Sequence, residues 1–217
     1  MEMMTVIENR HSVRQYTNQK IEEDKREKLQ LLCDQINAEN EMKIQMIYDE
    51  PRCFNSMMAH YGKFSGVQNY IAIVGPKSSQ LEEKAGYYGE QLVLKAQELG
   101  LNTCWVALTH GKSMAVIQKG EKQVILIAMG YGQTQGKVHR NKSIDAIAQI
   151  NAESPQWYQD GVKAALMAPT AVNQQKFWIE QAGDNARITT SGGMLTQLDL
   201  GIVKYHFEVV SGHKTVS

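Results

Sequence analysis

The sequence predicts an α+β fold, because segments of helical periodicity and short apolar strands succeed one another along its 217 residues. Three observations carry that expectation. Leu81 to Leu99 places apolar residues on one helical face, Tyr70 to Val74 and Gln123 to Tyr131 read as buried strands, and Gly183-Asp184-Asn185 separates two further strand-like runs.

The elements follow in order. Glu22 to about Asn40 reads as a helix, with Leu29, Leu32, Cys33 and Ile36 at helical spacing, and Lys43 to Tyr48 alternates like a strand. Pro51 to Gly66 mixes Pro, Asn, Ser and Gly and is expected to be irregular with a short helical turn. Tyr70-Ile71-Ala72-Ile73-Val74 is a strand closed by Gly75-Pro76. Leu81, Ala85, Tyr88, Leu92, Ala96 and Leu99 trace one face of a long helix that Gly100 ends. Strands follow at Thr103 to Leu108 and at Gln123 to Tyr131. Ser154-Pro155 starts a helix, Ser as cap and Pro at the first position, which passes Val162, Ala165 and Leu166 and stops before Pro169. Phe177 to Gln181 and Arg187 to Thr190 form a hairpin, and a last helix runs from about Met194 to His206. Gln91-Leu92-Val93-Leu94 is faintly echoed by Gln197-Leu198-Asp199-Leu200, which duplication and chance explain about equally well.

Composition narrows the function classes. A hydrophobic fraction of 42% fills a proper core, which argues against disordered and fibrous chains. With 23 basic and 23 acidic residues there is no global field to attract nucleic acid or an anionic membrane, so any anion site is local. Cys33, Cys53 and Cys104 show no metal-ligand spacing and suit reduced thiols, the six histidines are scattered, and no metal site is expected. No run approaches the roughly 20 apolar residues of a membrane span, so a soluble cytoplasmic protein is expected.

Three segments stand out chemically. Arg10-His11-Ser12-Val13-Arg14-Gln15-Tyr16 packs two guanidinium groups, an imidazole and a hydroxyl into five positions, a donor set suited to phosphate. By spacing alone its default reading is solvated surface charge. Lys137 to Lys142 sets Arg140 and Lys142 on one side of an extended chain, and its default reading is also solvated charge. Ala168-Pro169-Thr170-Ala171-Val172-Asn173-Gln174-Gln175 combines a proline, a hydroxyl and three side-chain amides, as either an ordinary polar loop or a ligand loop. Gly130-Tyr131-Gly132 has the wrong spacing for a dinucleotide-binding fingerprint and no helix after it. No hydrolytic or metalloprotease motif occurs, and Cys104 in its apolar strand reads as an inert core thiol.

Together these segments resemble the nitroreductase-like FMN flavoproteins, over most of the chain. The resemblance rests on Arg10-x-Ser12-x-Arg14-x-Tyr16; on Leu92 to Trp105, which reads LVLKAQELGLNTCW; on Met129-Gly130-Tyr131 followed by Arg140-Asn141-Lys142; and on Ala168-Pro169-Thr170-x-x-Asn173-x-Gln175. In most of that family the last of these loops lies near the N-terminal arginines. Its late position here is similar to the subgroup called putative TM nitroreductases, in which one chain is thought to fold like a compressed dimer.

The resemblance implies a nitroreductase-like fold, a central and mostly antiparallel sheet flanked by helices, in a single domain with intertwined halves of about 1–110 and 111–217. It also implies an FMN site. Arg10, His11, Ser12 and Arg14 would meet the phosphate, ribityl chain and pyrimidine edge; Arg140 and Lys142 would complete the phosphate site; Pro169, Thr170 and Asn173 would line one side of the ring; and Trp105, Val106 and Ala107 would pass near its reactive nitrogen. The implied activity is electron transfer from NADH or NADPH to a nitroaromatic, quinone or similar small acceptor in a ping-pong cycle, by a monomer or a homodimer. The rival reading is a non-catalytic member that binds flavin or another small anion. Val106-Ala107-Leu108 stands where the family often has two glycines, so side chains are expected to narrow the pocket there.

Overall fold

The computed structural model describes residues 2–216. Their contacts divide into two compact units that interleave in sequence: one comprises residues up to Asn9, Glu82–Gln91 and His139–Ser217, the other Arg10–Leu81 and Leu92–Val138.

The second unit is built on a four-stranded antiparallel sheet. Its strands are β1 (Gln45–Ile47), β2 (Asn69–Pro76), β3 (Asn102–Val106) and β4 (Glu121–Gly130), in the order β1-β2-β4-β3. β2 is buried from Asn69 to Gly75, as expected of a near-continuous apolar run. Period-two alternation sends Tyr70, Ala72, Val74, Cys104, Val106, Leu126 and Ala128 to one face, where they pack with Phe54, Phe64, Val13 and Tyr16. Helix α2 (Glu23–Asn40) buries Leu29, Cys33 and Ile36. It is tied to the approach to β1 by Asn37, whose side chain accepts from Ile44 N–H and donates to Ile44 C=O, both at 2.8 Å. The Pro51–Gly66 region holds a single turn at Arg52–Phe54 and a short helix α3 (Met57–Tyr61), which Ser56 caps by accepting from Ala59 N–H.

The first unit contains α1 (Met3–Asn9), α5 (Gln156–Leu166), α6 (Thr196–Ser211) and a sheet of β5 (Phe177–Ala182), β6 (Asn185–Thr190) and β7 (Thr215–Val216). β5 and β6 form the expected hairpin, turned by Gly183 at φ 63° and Asp184. The long helix α4 (Leu81–Glu98) lends this unit its middle segment. There its backbone passes so close to α6 that a Cβ on Gly86 would lie 2.0 Å from Leu198 O, and one on Gly201 would lie 1.9 Å from Glu83 O. Around this crossing Lys204 pairs with Glu83 at 2.6 Å, Tyr87 donates to Glu208 at 2.8 Å, and fully buried His206 meets fully buried Glu90 at 2.9 Å.

Several sequence expectations are corrected. The strand expected over Thr103–Leu108 starts at Asn102 and stops at Val106; β2 runs on through Gly75-Pro76; and the last helix extends to Ser211. Ser154 does not cap α5: its Oγ accepts from Asn151 N–H, and Pro155 itself occupies the cap position. α1 and β7 were not anticipated, because seven and two residues respectively are too few to display a period.

Candidate functional site

In the second unit the Arg10–Tyr16 segment runs along the edge of the sheet. Ser12 bridges Thr103, the amide of Val13 donates to Thr103 C=O at 3.0 Å, and Tyr16 N–H donates to Ser65 C=O at 2.9 Å. Tyr16 is the pin. Its buried hydroxyl donates to Val13 C=O at 2.7 Å and lies 3.3 Å from Ala128 C=O, and burial drives its pKa well above the usual phenol value. The Gly130-Tyr131-Gly132 turn serves this pin. Gly132 bridges Tyr16 and donates to Asn102 Oδ1, and a Cβ there would meet Val13 Cγ1 and Asn102 Oδ1 at 2.8 Å.

The donors of that segment are sorted by burial: Arg10 is buried, His11 half-buried, and Ser12 and Arg14 exposed. Burial and the neighbouring Arg10 charge lower the pKa of His11, so its imidazole is neutral at pH 7 and keeps one acceptor nitrogen. Cys104 next to this segment is buried, and desolvation raises its pKa against the pull of Arg14, Ser12 and Arg10. It is a protonated core thiol rather than a nucleophile. The alternation of β3 sends Val106 into the core with Cys104, while Trp105 and Ala107 are half-buried. The isopropyl group of Val106 therefore narrows nothing outside the core. Leu108, 70% exposed, is the one large side chain of the Val106-Ala107-Leu108 triplet that projects outward.

In the first unit the Pro169–Gln175 loop and the Arg140–Lys142 segment, some 33 residues apart in sequence, are brought together by side-chain and backbone bonds. Lys142 N–H donates to Gln175 Oε1 at 2.9 Å and Lys142 Nζ to Gln175 C=O at 2.8 Å. Asn173 Nδ2 and Gln175 Nε2 both donate to Arg140 C=O, at 2.7 and 3.0 Å, and Gln175 Nε2 also reaches Asn173 Oδ1 at 2.8 Å. Gln175 is 1% exposed, so its amide acts as an internal clamp. Arg140 and Lys142 themselves are exposed, with their backbones held.

The loop backbone is unusual. Val172, Asn173 and Gln175 have φ of 47°, 56° and 44°, a left-handed region costly for any residue with a Cβ and most costly for β-branched valine. Thr170 supports the turn by accepting from Gln175 N–H on its hydroxyl and from Asn173 N–H on its carbonyl. From below, Asp199 of α6 accepts from Ala171 N–H at 2.9 Å and from Gln174 Nε2 at 2.7 Å. Burial pushes the Asp199 carboxyl up in pKa, against those two bonds.

Sequence reasoning singled out the loop and the basic segment but missed Asp199, the tie of Gln174 to it and the clamp role of Gln175. One signal was present: an acid inside the apolar run Leu198-Asp199-Leu200-Gly201-Ile202-Val203 is out of place unless something accepts its charge. Among the described residues no group of three or more His, Cys, Asp and Glu is placed to hold a metal. Among them, too, no helix is long and apolar enough to cross a membrane.

Comparison with known proteins adds a family match and three similar structures. The family model described as "Putative TM nitroreductase" matches residues 2–211. A crystal structure titled as a putative nitroreductase from Thermotoga maritima superposes with a TM-score of 0.70 at 23% identity, covering 97% of this chain and 83% of that one. A putative NADH oxidase from Clostridium acetobutylicum scores 0.52 at 18% identity over 69% of this chain and 99% of its own. A putative nitroreductase in complex with FMN from Desulfovibrio desulfuricans scores 0.52 at 17% identity over 71% of this chain and 98% of its own. Among curated proteins none matches significantly.

Proposed function

The chain belongs to the putative TM nitroreductase family, and on that premise we propose that it is an FMN-dependent oxidoreductase accepting electrons from NADH or NADPH and passing them to a nitroaromatic, quinone or similar small acceptor. The observation that carries the reading is the pairing of Arg140 and Lys142 with a strained, clamped loop of the composition Pro-Thr-x-x-Asn-x-Gln. A backbone held in costly conformations on an exposed surface belongs to sites whose shape matters.

The donor chemistry fits FMN. Arg140 and Lys142 are assigned to the phosphate dianion, the guanidinium by its fork and the ammonium through the two donors left after its bond to Gln175 C=O. Arg10, Ser12 and Arg14 are assigned to phosphate, ribityl hydroxyls and the pyrimidine edge, where a cation favours electron uptake by the ring. Neutral His11 adds a polar contact to the same set. Pro169, Thr170 and the backbone at Trp105 to Ala107 are assigned to the ring, with Val106 leaving its backbone available because its side chain is in the core. Asn173 is assigned a supporting role on the same side, since its amide already holds Arg140 C=O. Bound FMN would supply the two-electron chemistry, in a ping-pong cycle. The description of the chain as two intertwined halves belongs to this proposal too.

The test is the visible spectrum of the protein loaded with FMN. Bleaching by NADH or NADPH and recovery on adding a quinone or nitroaromatic supports the reading. A bound flavin that never bleaches supports the second reading, a flavin- or anion-binding protein without turnover, which the exposed Leu108 in the triplet that stands where the family often has two glycines favours. Absence of FMN uptake at any concentration overturns both.

A further inference from the structure

We propose that Asp199 is a positioning residue: from inside α6 its carboxylate holds the Ala171–Gln175 loop in the left-handed form that presents the loop and the Arg140–Lys142 segment to the cofactor. This rests on the FMN reading above for its ligand, and on geometry for the rest.

Asp199 is 4% exposed and sits between Leu198 and Leu200 on a helix that buries Ile202 and Val203 as well. A carboxylate there carries a desolvation cost that an apolar residue would avoid, so a purely structural position would be better filled by leucine. Its place in the first turn of α6, where the helix dipole favours an anion, offsets part of that cost. An acid in a first turn ordinarily accepts from the free amides of its own helix. The carboxylate of Asp199 instead takes its donors from the loop, 28 and 25 residues away in sequence.

The placement of those two donors is the decisive feature. Ala171 N–H precedes the left-handed pair Val172-Asn173, and the side chain of Gln174 follows it, so one carboxylate spans two of the loop's three left-handed residues, the costly β-branched Val172 among them. Val172 makes up for nothing itself, being 90% exposed. On the other side of the loop Asn173 and Gln175 hold Arg140 C=O, so Asp199 is one of two clamps acting on the same few residues. Releasing it frees the backbone to relax to ordinary φ values, which displaces Asn173 and with it the carbonyl of Arg140.

The experiment uses the full chain and three variants, D199N, D199L and Q174A, with two readouts. The first is amide hydrogen exchange of residues 171–175 in the FMN-free protein; the second is the FMN dissociation constant from quenching of flavin fluorescence. Asparagine keeps an acceptor for Ala171 N–H but offers Gln174 only a competing donor, whereas leucine keeps neither. The expected order of affinity is wild type, then D199N, then D199L, with about a tenfold loss for each hydrogen bond to the carboxylate removed. Exchange at residues 171–175 rises in the same order while α5 and the rest of α6 stay protected, and D199L melts no lower than wild type. Unchanged loop exchange and unchanged FMN affinity in D199N and Q174A overturn the proposal, as does a D199L variant whose loop and helices lose protection together. Should D199L fail to fold, Q174A, half-buried and outside the core, carries the same two readouts. A wild-type chain that takes up no FMN overturns the cofactor reading, and faster loop exchange in the variants then still separates the clamp from that failure.

Discussion

Glu90 of α4 and His206 of α6 are both fully buried, and His206 Nε2 lies 2.9 Å from Glu90 Oε1 while its Nδ1 lies 3.1 Å from Ala164 C=O. A carbonyl only accepts, so Nδ1 donates to Ala164 C=O and Nε2 is the nitrogen that faces the carboxyl group of Glu90.

Breaking this pair from one side leaves a buried polar group without a counterpart. Glu90→Leu is expected to cost about 3–5 kcal/mol of unfolding free energy. Glu90→Gln keeps a hydrogen-bonding partner for the ring and is expected to cost about 1–2 kcal/mol. Urea unfolding of the two variants checks the order; equal losses would mean that the hydrogen bond is not what matters.

The α4–α6 crossing tolerates no side chain at its closest point. A Cβ on Gly86 or Gly201 would meet backbone atoms at 2.0 and 1.9 Å, which no rotamer change relieves. Gly86→Ala and Gly201→Ala are each expected to cost about 3 kcal/mol or more, at or beyond the upper end for overpacking. Gly100→Ala is the control: it has nothing within 4 Å but stands at φ 77°, and is expected to lose only about 1 kcal/mol. Thermal unfolding measures all three.

Glu208 links stability to pH. Burial raises its pKa, but hydrogen bonds from Thr215 Oγ1 and N–H, Lys214 Nζ and Tyr87 OH outweigh this and leave it below the ordinary carboxylate value. A lowered folded pKa means that the unfolded chain binds more protons, so the stabilisation is present above the ordinary carboxylate pKa and is lost as pH falls through the folded one. Glu208→Gln is therefore expected to be about 1–3 kcal/mol less stable than wild type at pH 7, with the gap closing as pH drops below about 4. Denaturant titrations at several pH values test this, and a gap that stays constant to pH 2 would contradict it.

Arg14 is exposed, with its guanidinium 5.9 Å from the Phe64 ring centroid. Arg14→Ala is expected to weaken FMN binding by about 1.5–3 kcal/mol, the worth of a charge-assisted bond, with little change in melting temperature. Flavin fluorescence titration gives the affinity; an unchanged dissociation constant would remove Arg14 from the site.

Local patterns carried much of the fold. The α4 face was legible at Leu81, Ala85, Leu92 and Ala96, all buried, because burial on a helix repeats every three to four residues. The same pattern did not reveal that Gly86, Gly89 and Glu90 are buried on α4 as well, since that depends on a second helix pressed against another face. Ser154 misled for a related reason: a good capping residue competes with other local donors, and Asn151 N–H took its oxygen. At the candidate site the residue types of the arginine segment and the amide-rich loop were readable from the sequence. Which amides face a ligand and which serve as clamps was not, and Gln175 proved to be a clamp.

What the sequence determined by itself is therefore the set of elements and the chemistry available: period-two and period-3.6 runs, the turn at Gly183-Asp184, two arginines around a serine, a basic pair and an amide loop. What only the tertiary structure decided is how those groups are held. The left-handed backbone at Val172, Asn173 and Gln175 runs against local preference and persists because Asp199, Arg140 and Lys142 supply bonds from residues 25 or more positions away. Nearest-neighbour sterics can be read along a chain, whereas a carboxylate that crosses from a helix to a loop depends on where the chain returns.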